Sequence, residues 1–258
     1  MIEIKNISQS YSRRGRKKTL KNINFVVPEK AITAMVGANG AGKSTLLGVM
    51  ANIVPAQAGE VLLAGEDITK IKPSDVAKKI AFLRQTQQLS VKITINDLVE
   101  YGRFPHCGGR LQEIDKQKVE EALGYMNLLD LRDCYLNELS GGQRQRAFIA
   151  MVLAQDTPYI FLDEPLNNLD IKYSVEMMKT IRMMVDELGK TVIVVLHDIN
   201  FAAAYANYVV AMKDGEIVQE GKQEEIISKG VLDTVFDHDF NIVRHDGRSV
   251  CLYFDYKL

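Results

Sequence analysis

Gly37-Ala38-Asn39-Gly40-Ala41-Gly42-Lys43-Ser44-Thr45 decides how this chain is read, because it fits G-x-x-x-x-G-K-[ST], the pattern of a phosphate-binding loop. Phosphates need backbone N–H donors at close range. Gly37, Gly40 and Gly42 remove side chains there and permit the positive φ values of a tight anion nest. Lys43 adds a mobile point charge and Ser44 a hydroxyl for Mg²⁺, while Ser44-Thr45-Leu46-Leu47 should open a helix whose unpaired N–H groups also face the phosphates. Ahead of the loop, Ala31-Ile32-Thr33-Ala34-Met35-Val36 reads as a short buried strand, so the setting is strand, loop, helix and predicts nucleotide binding.

At 258 residues the chain can bury a large core as one domain with an inserted lobe, and its formal net charge of -1 gives no global field toward nucleic acid or anionic lipid. Arg13-Arg14-Gly15-Arg16-Lys17-Lys18 is a local basic patch, read as a solvated turn between strands. No apolar stretch approaches the ~18 residues of a membrane span, and Met1-Ile2-Glu3-Ile4-Lys5 alternates like a strand and not like a signal peptide. The expectation is a chain that stays in the cytosol. Cys107, Cys134 and Cys251 are widely spaced with no C-x-x-C, which suggests reduced thiols rather than a disulfide frame or zinc site.

Strands are expected at Ile2–Ile7, Ile23–Val27 and 59–65, several of them forming an antiparallel sheet beside the nucleotide. Tyr11 stands where the first strand ends. It suits either an aromatic face stacked on adenine or a plain edge-strand tyrosine. A short helix at Pro73–Lys79 and a strand at 80–84 lead to Gln85, after which the pattern turns helical. Thr94 caps a helix to Tyr101 with Gly102 as its stop, an exposed loop runs from Phe104 to Arg110, and a second helix spans Asp115 to Met126. Residues 86–157 are thus read as an inserted helical subdomain within a single domain of 1–258.

Ser140-Gly141-Gly142-Gln143 precedes an apolar helix and reads either as a second anion site, at a helix start, or as a well-capped helix with glycines for close packing. Tyr159-Ile160-Phe161-Leu162-Asp163-Glu164-Pro165 is an apolar strand ending in two carboxylates. Beside a phosphate loop, Asp163 is placed to hold Mg²⁺, and Glu164 to orient or deprotonate an attacking water. Asp170 should cap a long helix stopped by Gly189, its methionines filling the core. The strand Thr191–Leu196 delivers His197 to the same sheet edge, where it suits either contact with a γ-phosphate or the structural role usual for a lone histidine. Val209–Met212 and Glu216–Gln219 form a hairpin through Asp214-Gly215. A helix near 224–228 and strands at 241–245 and 249–254 complete the chain without further chemistry.

The phosphate loop, Gln85, Leu139-Ser140-Gly141-Gly142-Gln143, Leu162-Asp163-Glu164-Pro165, Leu169-Asp170 and His197 occur in the order found in ATP-binding-cassette (ABC) ATPases, and the chain resembles that family along essentially its whole length. The resemblance implies an α/β P-loop NTPase core with a mostly parallel sheet, an antiparallel β subdomain and the inserted helical subdomain. It implies an ATPase using ATP and Mg²⁺, with Ser44, Gln85 and Asp163 at the metal. Glu164 is then the catalytic base, Gln85 reaches the metal and the water, His197 is the switch residue, and Tyr11 stacks on adenine. Ser140, Gly141, Gly142, Gln143 and Asp170 would act across a head-to-tail dimer on nucleotide bound by Gly37–Thr45 of the second copy. Arg144-Gln145-Arg146 and Glu164-Pro165-Leu166-Asn167-Asn168-Leu169-Asp170 resemble the importer branch for ferric siderophores, haem or vitamin B12, most of all siderophores, although the family more often has a small residue at 168. Expected partners are a second copy, integral membrane permeases at the cytoplasmic face and, indirectly, an extracytoplasmic substrate-binding protein, with no nucleic acid. The alternative is a soluble ABC ATPase serving as an assembly scaffold or in nucleic-acid transactions.

Overall fold

The structure is a computed structural model and describes residues 1–11, 19–84, 92–167 and 169–254. Gln85, Asn168 and the basic run 13–18 lie outside the described residues. In chain order the first half comprises β1 (Ile2–Gln9), β2 (Leu20–Val26), β3 (Ile32–Val36), α1 (Lys43–Met50), β4 (Ala58–Leu63), β5 (Glu66–Asp67), α2 (Pro73–Ala77), β6 (Ile80–Leu83), α3 (Ile95–Tyr101), α4 (Phe104–Cys107) and α5 (Glu113–Tyr125). The second half comprises α6 (Gly141–Ala154), β7 (Tyr159–Asp163), α7 (Ile171–Asp186), β8 (Thr191–Val195), α8 (Ile199–Tyr205), β9 (Tyr208–Lys213), β10 (Glu216–Lys222), α9 (Gln223–Ile226), α10 (Lys229–Phe236), β11 (Asn241–His245) and β12 (Arg248–Leu252).

The central sheet has the order β10-β9-β3-β8-β7-β6, with β9, β3, β8, β7 and β6 parallel and β10 antiparallel at its edge. Parallel strands covered on both faces are apolar throughout, and β3, β7 and β8 are buried at every position. Their side chains alternate between two cores. Ile32, Ala34, Ile160, Leu162, Val192 and Val194 join a cluster with α6 and α7, whereas Met35, Phe161, Ile193 and Val195 join one built with α1 and the antiparallel sheet β2-β1-β4-β5. The mostly parallel α/β core and the antiparallel sheet agree with the expected P-loop NTPase fold.

Helices α3, α5 and α6 pack on one another, and each begins with a capping box: Thr94 with Asp97, Gln112 with Asp115, and Ser140 with Gln143. Gly102 is the C-cap of α3, as expected, but in a right-handed conformation, and a Cβ there would lie 2.1 Å from the Met151 carbonyl oxygen. Close packing against α6 is what that position requires. Phe104–Arg110 is not all loop, because α4 forms within it, with Pro105 in its first turn and the backbone N–H of Gly108 donating to the Phe104 carbonyl. Beneath it, Arg103 and Asp115 form a buried ion pair at 2.9 Å, and Arg103 also donates to the Ala154 carbonyl.

At the C-terminus the expected short helix is joined by α10, which buries Leu232 and Val235. The hairpin β11–β12 packs on α8 through Asn200, whose side chain exchanges two hydrogen bonds with the backbone of Cys251. Of the methionines of α7, Met177, Met178 and Met184 are buried, as expected of core filler.

Candidate active site

Register determines what meets at the site. Met35 of β3 pairs with Val195 of β8, and Val195 pairs with Asp163 of β7, so the residues leaving these strands emerge side by side at one sheet edge. They are Gly37, His197 and Glu164. Ligand sites in open α/β sheets form at this carboxyl edge. Leu83 of β6 pairs with Leu162, which brings Arg84 to the same edge.

The phosphate loop runs from β3 into α1 as its sequence requires. Gly37 has φ 145°, and a Cβ there would lie 2.2 Å from the Met212 carbonyl oxygen, so no other residue fits without moving β9. Ala38, Asn39 and Gly40 are exposed, while Ala41, Gly42 and Lys43 are buried. The Lys43 ammonium donates to the carbonyls of Gly37 at 2.7 Å and Ala38 at 3.0 Å, coiled beneath its own loop. Burial lowers its pKa, opposed by the charges of Glu164 and Asp163.

Ser44 Oγ donates to Asp163 Oδ1 at 2.7 Å. Burial raises the Asp163 pKa, and the bond from Ser44 works against that shift. The pair offers hard oxygen donors of the type Mg²⁺ takes, and among the described residues no group of three or more His, Cys, Asp or Glu could hold a metal. A site with one carboxylate and one hydroxyl suits an ion that keeps most of its coordination for water and phosphate oxygens.

Glu164 has φ 54°, an uncommon conformation for a residue with a Cβ and one that recurs at functional sites. Its carboxylate meets His197 Nε2 through Oε1 at 2.7 Å and the Asn167 side-chain amide through Oε2 at 2.5 Å. Asn167 was not singled out from sequence for any role of its own. The signal available was its place three residues beyond Glu164, across a turn.

Tyr11 is 65% exposed, and its hydroxyl lies 3.4 Å from Thr45 Oγ1. Both border a cleft of about 370 Å³ that also holds Ser44, Arg84 and Asp163. An aromatic face therefore stands beside the phosphate loop at the mouth of the cleft. Arg84, a cation lining it, also went unassigned from sequence.

The remaining expected residues lie elsewhere. Ser140 Oγ accepts from the Gln143 N–H and Asp170 Oδ1 accepts from the Tyr173 N–H, each capping its own helix. Among the described residues no hydrogen bond or ion pair joins Ser140, Gly141, Gly142, Gln143 or Asp170 to the phosphate loop of the same chain. These residues are instead drawn toward one another. A Cβ at Gly142 would lie 2.8 Å from the Tyr173 ring, and Gln145 donates to the Pro165 carbonyl at 3.1 Å, tying α6 to the turn after Glu164. Within one chain the site is thus a phosphate cradle, a hydroxyl–carboxylate pair and an oriented carboxylate, the parts needed to move a phosphoryl group to water.

Residues 20–167 match the family described as ABC transporter. The chain is 48% identical over 254 residues to the petrobactin import ATP-binding protein YclP of Bacillus subtilis (strain 168), covering 98% of this chain and 100% of that one. It is 38% identical to the iron(3+)-hydroxamate import ATP-binding protein FhuC of the same organism, over 93% of this chain and 91% of the other. Among solved structures it is similar to the dimeric post-hydrolysis state of the ATP-binding cassette MJ0796 bound to ADP and Pi, with TM-score 0.76, 31% identity, and 86% and 99% of the two chains covered.

Proposed function

Because this chain belongs to the ABC transporter family as an ATP-hydrolysing subunit, we propose that it powers the uptake of a ferric siderophore through separate membrane permeases. The observation that carries the chemistry is the convergence of Lys43, Ser44–Asp163 and Glu164–His197 on one sheet edge. The substrate class comes from the relatives, whose names specify import of petrobactin and iron(3+)-hydroxamate.

In the mechanism we infer, the Lys43 ammonium exchanges its loop carbonyls for phosphate oxygens, and the backbone N–H groups of residues 38–45 hold the phosphate chain. Tyr11 packs on adenine at the mouth of the cleft. Ser44 and Asp163 would hold Mg²⁺, which neutralises charge shared by the outer phosphates. Glu164 takes a proton from water as the water oxygen bonds to the γ-phosphorus and the bond to the bridging oxygen breaks, releasing phosphate and ADP. His197 keeps the carboxylate in place, and Gln85 is assigned to the metal and the water. Ser140, Gly141, Gly142, Gln143 and Asp170 act on nucleotide held by a second copy, since their polar groups serve their own helices within one chain. Binding energy released only in the closed dimer shifts the population toward closure, and hydrolysis reverses it.

No helix among the described residues is long and apolar enough to cross a membrane, so translocation falls to partner subunits. Helices α3 and α4 offer them a groove of about 430 Å³, where Tyr101 is 63% and Phe104 59% exposed beside Asp97 and Glu100. An apolar floor with an acidic rim suits a short amphipathic basic helix on the cytoplasmic side of a permease. An extracytoplasmic binding protein would deliver the chelate from the other side. Co-purification from solubilised membranes tests this. The chain should bring down an integral membrane permease, and Tyr101→Glu with Phe104→Glu should abolish that association while ATP binding stays intact.

A further inference from the structure

We propose that Asn167 is a positioning residue for Glu164, its side-chain amide fixing the carboxylate in the orientation from which it accepts a proton from water. This rests on the reading of Glu164 as proton acceptor given above. The terminal torsion of a glutamate is broad and roughly two-fold, so a single hydrogen bond leaves the carboxylate plane free to turn. Here the two oxygens are held separately, Oε1 by His197 at 2.7 Å and Oε2 by Asn167 at 2.5 Å. Two anchors on different oxygens fix the plane. A carboxylate oxygen carries more than one acceptor position, so these bonds still leave room for a water.

The backbone brings Asn167 into reach. Glu164 has φ 54°, Pro165 presets the next φ, and the Asn167 N–H donates to the Glu164 carbonyl at 3.3 Å, closing a turn that returns residue 167 over the side chain of 164. From outside, Gln145 of α6 grips the Pro165 carbonyl at 3.1 Å, so the turn does not drift relative to the helix that Ser140 caps. An ionised carboxylate only accepts, hence the amide nitrogen of Asn167 must face it and the bond is charge-assisted. Asn167 touches no reacting atom in this scheme and acts through Glu164.

Asn167→Asp discriminates this role from that of a turn former. Aspartate suits turns as asparagine does, so a merely structural residue would tolerate the exchange, whereas a donor aimed at a carboxylate would not. With the full chain, kcat for ATP hydrolysis should fall about tenfold in Asn167→Ala and further in Asn167→Asp, the size expected for losing a charge-assisted bond. KM for ATP and the Kd of a fluorescent nucleotide should stay within about twofold of wild type, because the loss falls on the transition state. Asn167→Ser, which keeps a donor, should retain more activity than Asn167→Ala. An Asn167→Asp protein with at least half the wild-type kcat, or one losing nucleotide affinity in step with kcat, overturns the proposal. Should Asn167→Asp not fold, the order of the Ser and Ala variants decides in the same way. Glu164→Gln in the same assay separates the two readings: if it abolishes turnover while Asn167→Asp does not, only the positioning role falls.

Discussion

Ser44 Oγ and Asp163 Oδ1 are joined at 2.7 Å across 119 positions of sequence, one at the start of the phosphate-loop helix and the other at the end of β7. Each motif points to phosphate chemistry by itself, the loop through its strand-loop-helix setting and the carboxylates through the apolar strand that ends in them. The bond makes them one site, in which the charges of Asp163 and Lys43 act on each other.

Two substitutions separate binding from chemistry at this site. Lys43→Ala removes a ground-state charge and should weaken ATP binding. Glu164→Gln keeps the shape and should leave binding within about twofold of wild type while lowering kcat at least a hundredfold, as loss of a general base does. Equilibrium binding of a fluorescent ATP analogue and single-turnover hydrolysis, both with Mg²⁺, measure the two effects. Equal loss of affinity in both variants would contradict the roles assigned.

Ser140→Arg tests whether the signature residues act between copies. Ser140 is exposed and makes its polar contacts with Gln143 of its own helix, so bulk and charge there should leave the chain's own phosphate loop undisturbed. Glu164→Gln with ATP should form a dimer by light scattering, and adding Ser140→Arg should return it to monomer with nucleotide affinity unchanged. A dimer that forms without ATP and ignores Ser140→Arg would count against cross-dimer action.

Much of this site is legible in sequence because its determinants are local. The phosphate loop needs Gly37 for one close approach to Met212, the capping boxes need Thr94 and Ser140 three residues ahead of Asp97 and Gln143, and the Asp214-Gly215 hairpin needs two residues with positive φ. What escaped depends on tertiary partners. Gly102 stops α3 as its sequence suggests, but its close approach to the Met151 carbonyl on α6 is not visible there. The segment from Phe104 has loop composition, yet α4 forms above the Arg103–Asp115 pair, which no periodicity shows. Asn167 becomes informative only once the left-handed Glu164 turns the chain back on itself. For Ser140 and Asp170, whose sequence setting allowed both an anion site and a helix cap or a cross-dimer contact, the single chain shows the caps.

The Arg103–Asp115 pair makes a prediction about stability and pH. The Gln112 N–H, foremost, and the Arg103 guanidinium hold the Asp115 pKa below its ordinary value. A carboxylate with a depressed folded pKa contributes stability above its unfolded value, about 3.9, and loses it as pH falls through the lower folded value. Arg103→Ala leaves that buried carboxylate without its cation and should cost about 3 kcal/mol near neutrality. Urea denaturation should show the gap between wild type and variant narrowing below about pH 4, as protonation removes the stranded charge. A gap independent of pH would indicate that lost packing accounts for the effect.

Uptake of radiolabelled ferric siderophore by intact cells tests the central claim most directly. In cells lacking any redundant ATPase, replacing the chain with its Glu164→Gln form should stop siderophore-dependent iron accumulation while ferrous-iron uptake continues. Normal accumulation of the labelled chelate in those cells would contradict the claim that this chain's ATP hydrolysis drives siderophore import.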